Sequence, residues 1–241
     1  MLEFKLDDWK VLKNIFININ EIIDEVVIQY DSDGLRFNAI DRSHICFFKC
    51  NISNDFFDEY DNSEPSLLFI GLDELVNVLK RGNSKDSLLF KAENNEIKII
   101  FENDNVRTFS ITEIDMDDNT REPPNLDYSV NFKCSFDFIK NALKDADLYS
   151  DRLKFTCIDN VLILSCDGMN GDYTNKFILD EYVSVNCSAS YSVSWLSKIF
   201  NSKLNSNNIR INMGDDFPML IEMVIDNMEL SYLLAPRLSE E

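Results

Sequence analysis

At 241 residues, 45% of them hydrophobic, the chain holds enough apolar material for one large domain or two of roughly 100–150 residues. A charged fraction of 27% marks a folded, soluble protein; no apolar run approaches the ~20 residues that span a bilayer, and the start MLEFKLDDWK lacks the basic head and long apolar stretch of a secretory signal. The net charge of −20, if spread evenly, repels nucleic acid and membrane surfaces and favours basic partners, so its distribution matters more than its total.

LEFKL reads as a short strand. In DDWKVLKNIFINI the apolar residues Trp9, Leu12, Phe16 and Ile19 fall on one helical face, and Asp7 and Asp8 suit the positive N-terminal end of that helix. DEVVIQYDSDGLRFNAI and HICFFKCNI follow as strands, with DSDG as a turn. PSLLFIGLDELVNVLKRGN is a strand running into a second helix whose inward face is Leu72, Leu75, Val76 and Leu79. DSLLFKAENNEIKIIFENDNVRTFSITEI gives three more strands with turns at ENNE and ENDN. Periodicity is then lost in the acidic, proline-bearing MDDNTREPPNLD, a linker that halves the chain into domains 1–116 and 128–241 joined by a connector at 117–127.

The second half repeats the plan. YSVNFKC is a strand, and SFDFIKNALKDADL is a helix capped by Ser135 with Phe138, Ala142 and Leu143 turned inward. DRLKFTCIDNVLILSC is a strand pair, NKFILDEYV another strand, and ASYSVSWLSKIFNSK a strand leading to a fourth helix. Strands around a GDDFP turn close the chain. A repeat of about 120 residues is a duplicated domain, since solenoid periods run ~20–50 residues. Long β runs with two helices per half give an antiparallel α+β fold; the alternating order of a Rossmann fold is absent.

Six cysteines, Cys46, Cys50, Cys134, Cys157, Cys166 and Cys187, include no C-x-x-C pair and read as reduced core residues of an intracellular protein. With a single histidine, no metal site is expected, and no glycine-rich loop indicates a phosphate-bearing cofactor.

Charge is segregated. Helical segments 7–19, 72–82, 135–148 and 193–203 carry eight of the 23 basic residues, Lys10, Lys13, Lys80, Arg81, Lys140, Lys144, Lys198 and Lys203, and only seven of the 43 acidic ones. They sum to +1 while the rest of the chain sums to −21. Exposed lysines on helix faces are ordinary, but their recurrence in all four helices would also offer phosphates a localised track.

DSDGLRFNAI followed by DRSHICFF, then DELVNVLKRGNSKDSLLF, the proline-bearing connector and the terminal LSYLLAPRL resemble the sliding clamps of the proliferating cell nuclear antigen type, with archaeal members the most similar. The resemblance runs over essentially the whole chain. It implies two similar domains of the DNA-clamp fold, with sheets outside and two helices per domain inside, and a homotrimeric ring whose helices face duplex DNA without reading bases. It implies no enzymatic activity. The implied partners are a DNA polymerase, a clamp loader, flap endonuclease and DNA ligase, in the cytoplasm or nucleoid of an archaeon or the nucleus of a eukaryote.

By the same resemblance, subunits join through Phe109, Ser110 and Ile111 of RTFSITEI, on one edge, and Phe177 and Ile178 of NKFILDEYV, on the other. A pocket for peptides reading Gln, two residues, an aliphatic, two residues and two aromatics would use Ile40, His44, Ile45, Phe47, Leu126, Pro218, Leu233, Leu234, Ala235 and Pro236. In relatives the connector presents apolar side chains to this pocket, whereas TREPPNL places Arg121 and Pro123 there. His44 stands open to three readings: a peptide contact, a hydrogen-bonded histidine near a strand end, or a base paired with Asp41. No nucleophile or oxyanion loop accompanies the third. The other classes open to the chain are a subunit of a heteromeric checkpoint-type clamp, another acidic interaction module, or a hydrolase built on His44.

Overall fold

The computed structural model describes residues 1–62, 64–115, 123–180, 185–200, 204 and 208–238. The chain forms two compact units. One comprises Met1–Arg42, Phe48–Glu122 and Ile225–Leu230; the other comprises Ser43–Phe47, Pro123–Val224 and Ser231–Glu241.

The first repeat runs β1 (Leu2–Leu6), α1 (Lys10–Asn20), β2 (Glu25–Asp31), β3 (Gly34–Ile40), β4 (Cys46–Ser53), β5 (Glu59–Asn62), β6 (Ser66–Gly71), α2 (Leu72–Leu79), β7 (Ser87–Glu93), β8 (Glu96–Glu102) and β9 (Val106–Thr112). Its strands lie in the orders β5-β1-β7-β8-β9 and β6-β2-β3-β4. The second runs β10 (Val130–Ser135), α3 (Phe136–Ala146), β11 (Arg152–Ile158), β12 (Val161–Gly168), β13 (Gly171–Ile178), β14 (Cys187–Ser192), α4 (Val193–Ile199), β15 (Asn208–Met213), β16 (Met219–Ile225) and β17 (Met228–Leu234). Here the orders are β10-β15-β16-β17 and β14-β11-β12-β13. Both halves thus follow the expected duplicated α+β plan. Helix α1 packs on α2, and α3 on α4.

Strand alternation builds the core. In β7, β8, β11 and β12 every second side chain is buried, the period that a sheet with one covered face imposes. All six cysteines lie in such inward positions and are buried. The DSDG turn works through Gly34, whose φ is +133° and where a Cβ would sit 2.0 Å from the Ile52 carbonyl oxygen. Asp31 braces that turn by accepting from the Asp33 amide at 2.8 Å and from the Arg36 guanidinium, and these bonds hold its carboxyl below the usual range.

Several local expectations change. Trp9 is the N-cap of α1 and not part of it, while Asp8 reaches the Lys10 amide at 3.3 Å. Ser135 is at the N-cap of α3 but its hydroxyl makes no capping bond. Phe138 is not among the buried residues of α3, which are Phe136, Ile139, Ala142, Leu143 and Ala146; instead its ring packs 4.7 Å from that of Phe177. Strand β5 was not expected, because EYDN carries no apolar alternation and is held by its pairing to β1. The NKFILDEYV strand ends at Ile178, and residues 181–183 lie outside the described residues. Among the described residues, no helix is long and apolar enough to cross a membrane.

Candidate binding surfaces

Three strand lysines are ion-paired to neighbouring glutamates. Lys5, Lys91 and Lys98 sit beside Glu59, Glu3 and Glu96, at 3.9, 2.8 and 3.1 Å. Among the described residues none of Lys10, Lys13, Lys80, Arg81, Lys140 and Lys144 is ion-paired through its side chain. Lys10, Lys80, Arg81 and Lys144 are exposed; Lys13 and Lys140 are half-buried. Lys203 lies outside the described residues.

Two of these lysines rest on tryptophans. Lys13 Nζ is 4.7 Å from the Trp9 ring centre and Lys198 Nζ 4.5 Å from that of Trp195, cation–π contacts that recur in the two repeats. Trp9 is itself fixed: its indole N–H donates to the Asp86 carbonyl at 2.8 Å. A Cβ on Gly82 would come within 2.4 Å of the indole, so only glycine lets the turn after α2 close on it. That turn carries Lys80 and Arg81 at the negative end of the helix. The buried Asp86 carboxylate accepts from the Asn83 amide at 2.8 Å, from Asn103 Nδ2 at 2.9 Å and from Arg107, and these bonds hold its carboxyl below the usual range.

Strands β9 and β13 each end a sheet. Their ladders fix which backbone groups point outward. Glu113 N–H donates to Asn95 O at 3.1 Å, so in the β8–β9 register the bonded pairs continue through Ile97/Ile111 and Ile99/Phe109. Thr108, Ser110 and Thr112 therefore turn their N–H and C=O groups away from β8. Leu179 N–H donates to Asn160 O at 2.8 Å, which by the same alternation turns Thr174, Lys176 and Ile178 away from β12. Ile178 is 76% exposed, an unusual position for isoleucine; Phe109, Ile111 and Phe177 are half-buried.

The residues after β17 are held inside the second unit. Ala235 N–H donates to Ile45 O at 2.9 Å and Arg237 N–H to Ser190 O at 2.7 Å. The Arg237 guanidinium meets Asp151 at 2.5 Å and keeps its carboxyl below the usual range, and Arg152 donates to Leu238 O at 3.1 Å. Period two sorts the tail: Tyr232 and Leu234 point into the core, while Leu233 and Ala235 are half-exposed, as is Pro236. Ile45, Leu126 and Pro218 are half-exposed as well. Two expected pocket residues are thereby reassigned. Leu234 is 0% exposed and Phe47 is 8% exposed, so both are core side chains. Ile40, in the first unit, is exposed.

His44 is exposed and adopts φ 57°. Among the described residues it has no hydrogen-bond partner, Asp41 included. Arg121 of the connector lies outside the described residues, and Pro123 is half-buried. The Asp86 cluster was not legible in advance: its signal, a lone Asp three residues after an Asn in a polar turn, is common in loops.

Residues 1–120 match the family model for the proliferating cell nuclear antigen N-terminal domain. The chain is 33% identical over 243 residues to the DNA polymerase sliding clamp of Methanothermobacter thermautotrophicus and 34% identical over 243 to that of Methanobrevibacter smithii, in each case over 100% of both chains. It is 30% identical to the DNA polymerase sliding clamp of Pyrococcus furiosus over 92% of each. A crystal structure of PCNA from Thermococcus kodakaraensis shares the fold, with a TM-score of 0.91 over 98% of this chain and 100% of that one at 24% identity. With relatives above 30% identity from end to end, the chain belongs to the family of DNA polymerase sliding clamps of the proliferating cell nuclear antigen type.

Proposed function

We propose that three copies of the chain close head to tail into a ring around duplex DNA, tether a DNA polymerase to its template, and recruit clamp loader, flap endonuclease and ligase through short peptides. In this reading residues 1–116 and 128–241 are the two clamp domains and 117–127 the connector. The protein is a processivity factor and performs no chemistry of its own.

The observation that carries the ring is the pair of free sheet edges, β9 in one repeat and β13 in the other. A closed ring needs a heterologous contact between two different surfaces of identical chains, and unpaired strands are ready to form a continuous ladder. The helix lysines support the DNA role. Lys10, Lys13, Lys80, Arg81, Lys140 and Lys144, without ion-pair partners among the described residues, can exchange counterions for backbone phosphates, which gives weak, salt-sensitive and sequence-independent attraction. A clamp that slides needs contacts of that kind.

The half-exposed apolar residues Ile45, Leu126, Pro218, Leu233, Ala235 and Pro236, with the exposed His44, all in the second unit, are the proposed peptide surface. Two aromatic anchors remove roughly 300–500 Å² from water, counting whole side chains. At ~25 cal/mol/Å² for the apolar part this gives several kcal/mol, and ordering a flexible peptide takes back ~2–5 kcal/mol, which leaves a micromolar affinity.

Primer extension on a singly primed circle, with clamp loader and a trap for dissociated polymerase, tests the role. Longer products in the presence of the chain support it; unchanged product length contradicts it.

A further inference from the structure

The first unit contains an open groove of about 760 Å³ whose lining includes Leu67 and Phe69 of β6, the β7–β8 turn, and Glu93, Glu113 and Asp115. Strand β6 ends its sheet order. Leu72 N–H donates to Asp24 O at 2.8 Å, and with the β2–β6 register this makes Val26/Ile70 and Ile28/Leu68 the bonded pairs. Leu67 and Phe69 therefore turn their backbone groups outward. Those of Phe69 are already engaged: Ile114 N–H donates to Phe69 O at 3.2 Å, and Phe69 N–H to Glu113 Oε2 at 3.4 Å. The outward N–H and C=O of Leu67 have no partner among the described residues. Nor do Glu93, Glu113 and Asp115 have an ion-pair partner among them.

We propose that this groove docks an extended, lysine- or arginine-rich peptide of a partner protein, which adds a strand to β6 at Leu67 and sets its basic side chains against Glu93, Glu113 and Asp115. Three observations converge. A free donor and acceptor on an edge strand accept a backbone and not a folded surface. The groove is lined by three carboxylates against one cationic group, the α-ammonium of Met1, so its net negative charge selects a cationic occupant. The lining is dominated by backbone turns and polar side chains, which suits an extended chain better than an apolar helix face. The groove lies within the first unit, whereas the proposed peptide surface is built on the second; ring closure is not required for it.

Fluorescence anisotropy with a labelled Lys-Val-Arg-Val-Lys peptide tests the proposal on the full chain. Binding is expected at low salt and declines as salt rises. Leu67→Pro removes only the outward donor, and the pair Glu113→Gln with Asp115→Asn removes charge; each should weaken binding about threefold or more. Glu59→Gln with Asp61→Asn on β5 should bind as the parent does. In the parent protein, exchange of the Leu67 amide proton should slow when peptide is added, a reading that needs no variant to fold. Absence of binding, an unprotected Leu67 amide, or equal weakening by the β5 variant would each overturn the site, the last by showing general attraction to an acidic protein.

Discussion

Arg107, on the last strand of the first repeat, forms an ion pair with the buried carboxylate of Asp86 and donates through Nη1 to the Arg81 carbonyl at 3.0 Å. One residue thus ties the edge strand β9 to the turn that carries Lys80 and Arg81, and Asp86 holds that turn through Asn83 and Asn103. A proposed subunit edge and a proposed phosphate contact share one anchor.

Replacing Asp86 with Asn leaves an acceptor in place but strips the charge from a pair whose other half is largely covered. A melting temperature lower by several degrees at neutral pH is expected. The sign with pH follows from linkage. The folded carboxyl titrates below its ordinary value of 3.8, so its contribution is complete above 3.8 and is lost as pH falls through the folded value. Thermal melts of both proteins should therefore differ most at neutral pH and converge below pH 3.8. A constant gap down to the acid end would show that Asp86 is not the charged partner.

At the edges, Ser110→Pro and Ile178→Pro each remove an N–H that points away from the chain's own ladder, so each unit should fold while the trimer is lost. Phe109→Pro and Phe177→Pro should instead disturb the fold, because those N–H groups lie within the β8–β9 and β12–β13 ladders. Circular dichroism beside light scattering separates the two classes. Folded trimers from both outward variants would move the interface elsewhere.

Charge reversal at the exposed Lys10, Lys80 and Lys144 should leave the chain folded and weaken retention on DNA most strongly at low salt. The slope of log affinity against log salt should fall by about 0.9 for each phosphate contact removed. Substituting Trp9 would confuse this test, since its ring is buried in the first unit. An unchanged slope would identify these lysines as a solvated face and nothing more.

Ile45→Arg should abolish binding of a Gln-x-x-Leu-x-x-Phe-Phe peptide by placing an unpaired charge on an apolar surface. The bond from Ala235 uses only the Ile45 carbonyl, so the tail should stay in place. His44→Ala should weaken binding without abolishing it, because His44 is exposed and makes no hydrogen bond among the described residues. Calorimetry reads both; parent-like affinity in the Ile45 variant would put the partner site elsewhere.

Much of this was legible in the residues themselves. Period-two runs such as DSLLFKAE and period-3.6 runs such as LDELVNVL bury their apolar faces as the pattern requires. The excess of lysine on four helices was visible before any geometry. Tertiary placement was not. The polar strand EYDN is held by its neighbour β1 and not by its own propensity. Alternation in YLLAP divides Leu233 from Leu234, but only a fixed register shows which of them faces the core. Which backbone groups of Leu67, β9 and β13 point outward depends on ladder parity, which no single strand reveals.

The claim on which the rest depends is that identical chains form a closed ring of three. Light scattering on the purified parent protein, across a range of concentrations, measures it directly. The expected result is a mass three times that of the chain, set by the β9 and β13 edges. A mass equal to a single chain at every concentration would contradict the homotrimer and favour a heteromeric ring completed by other subunits.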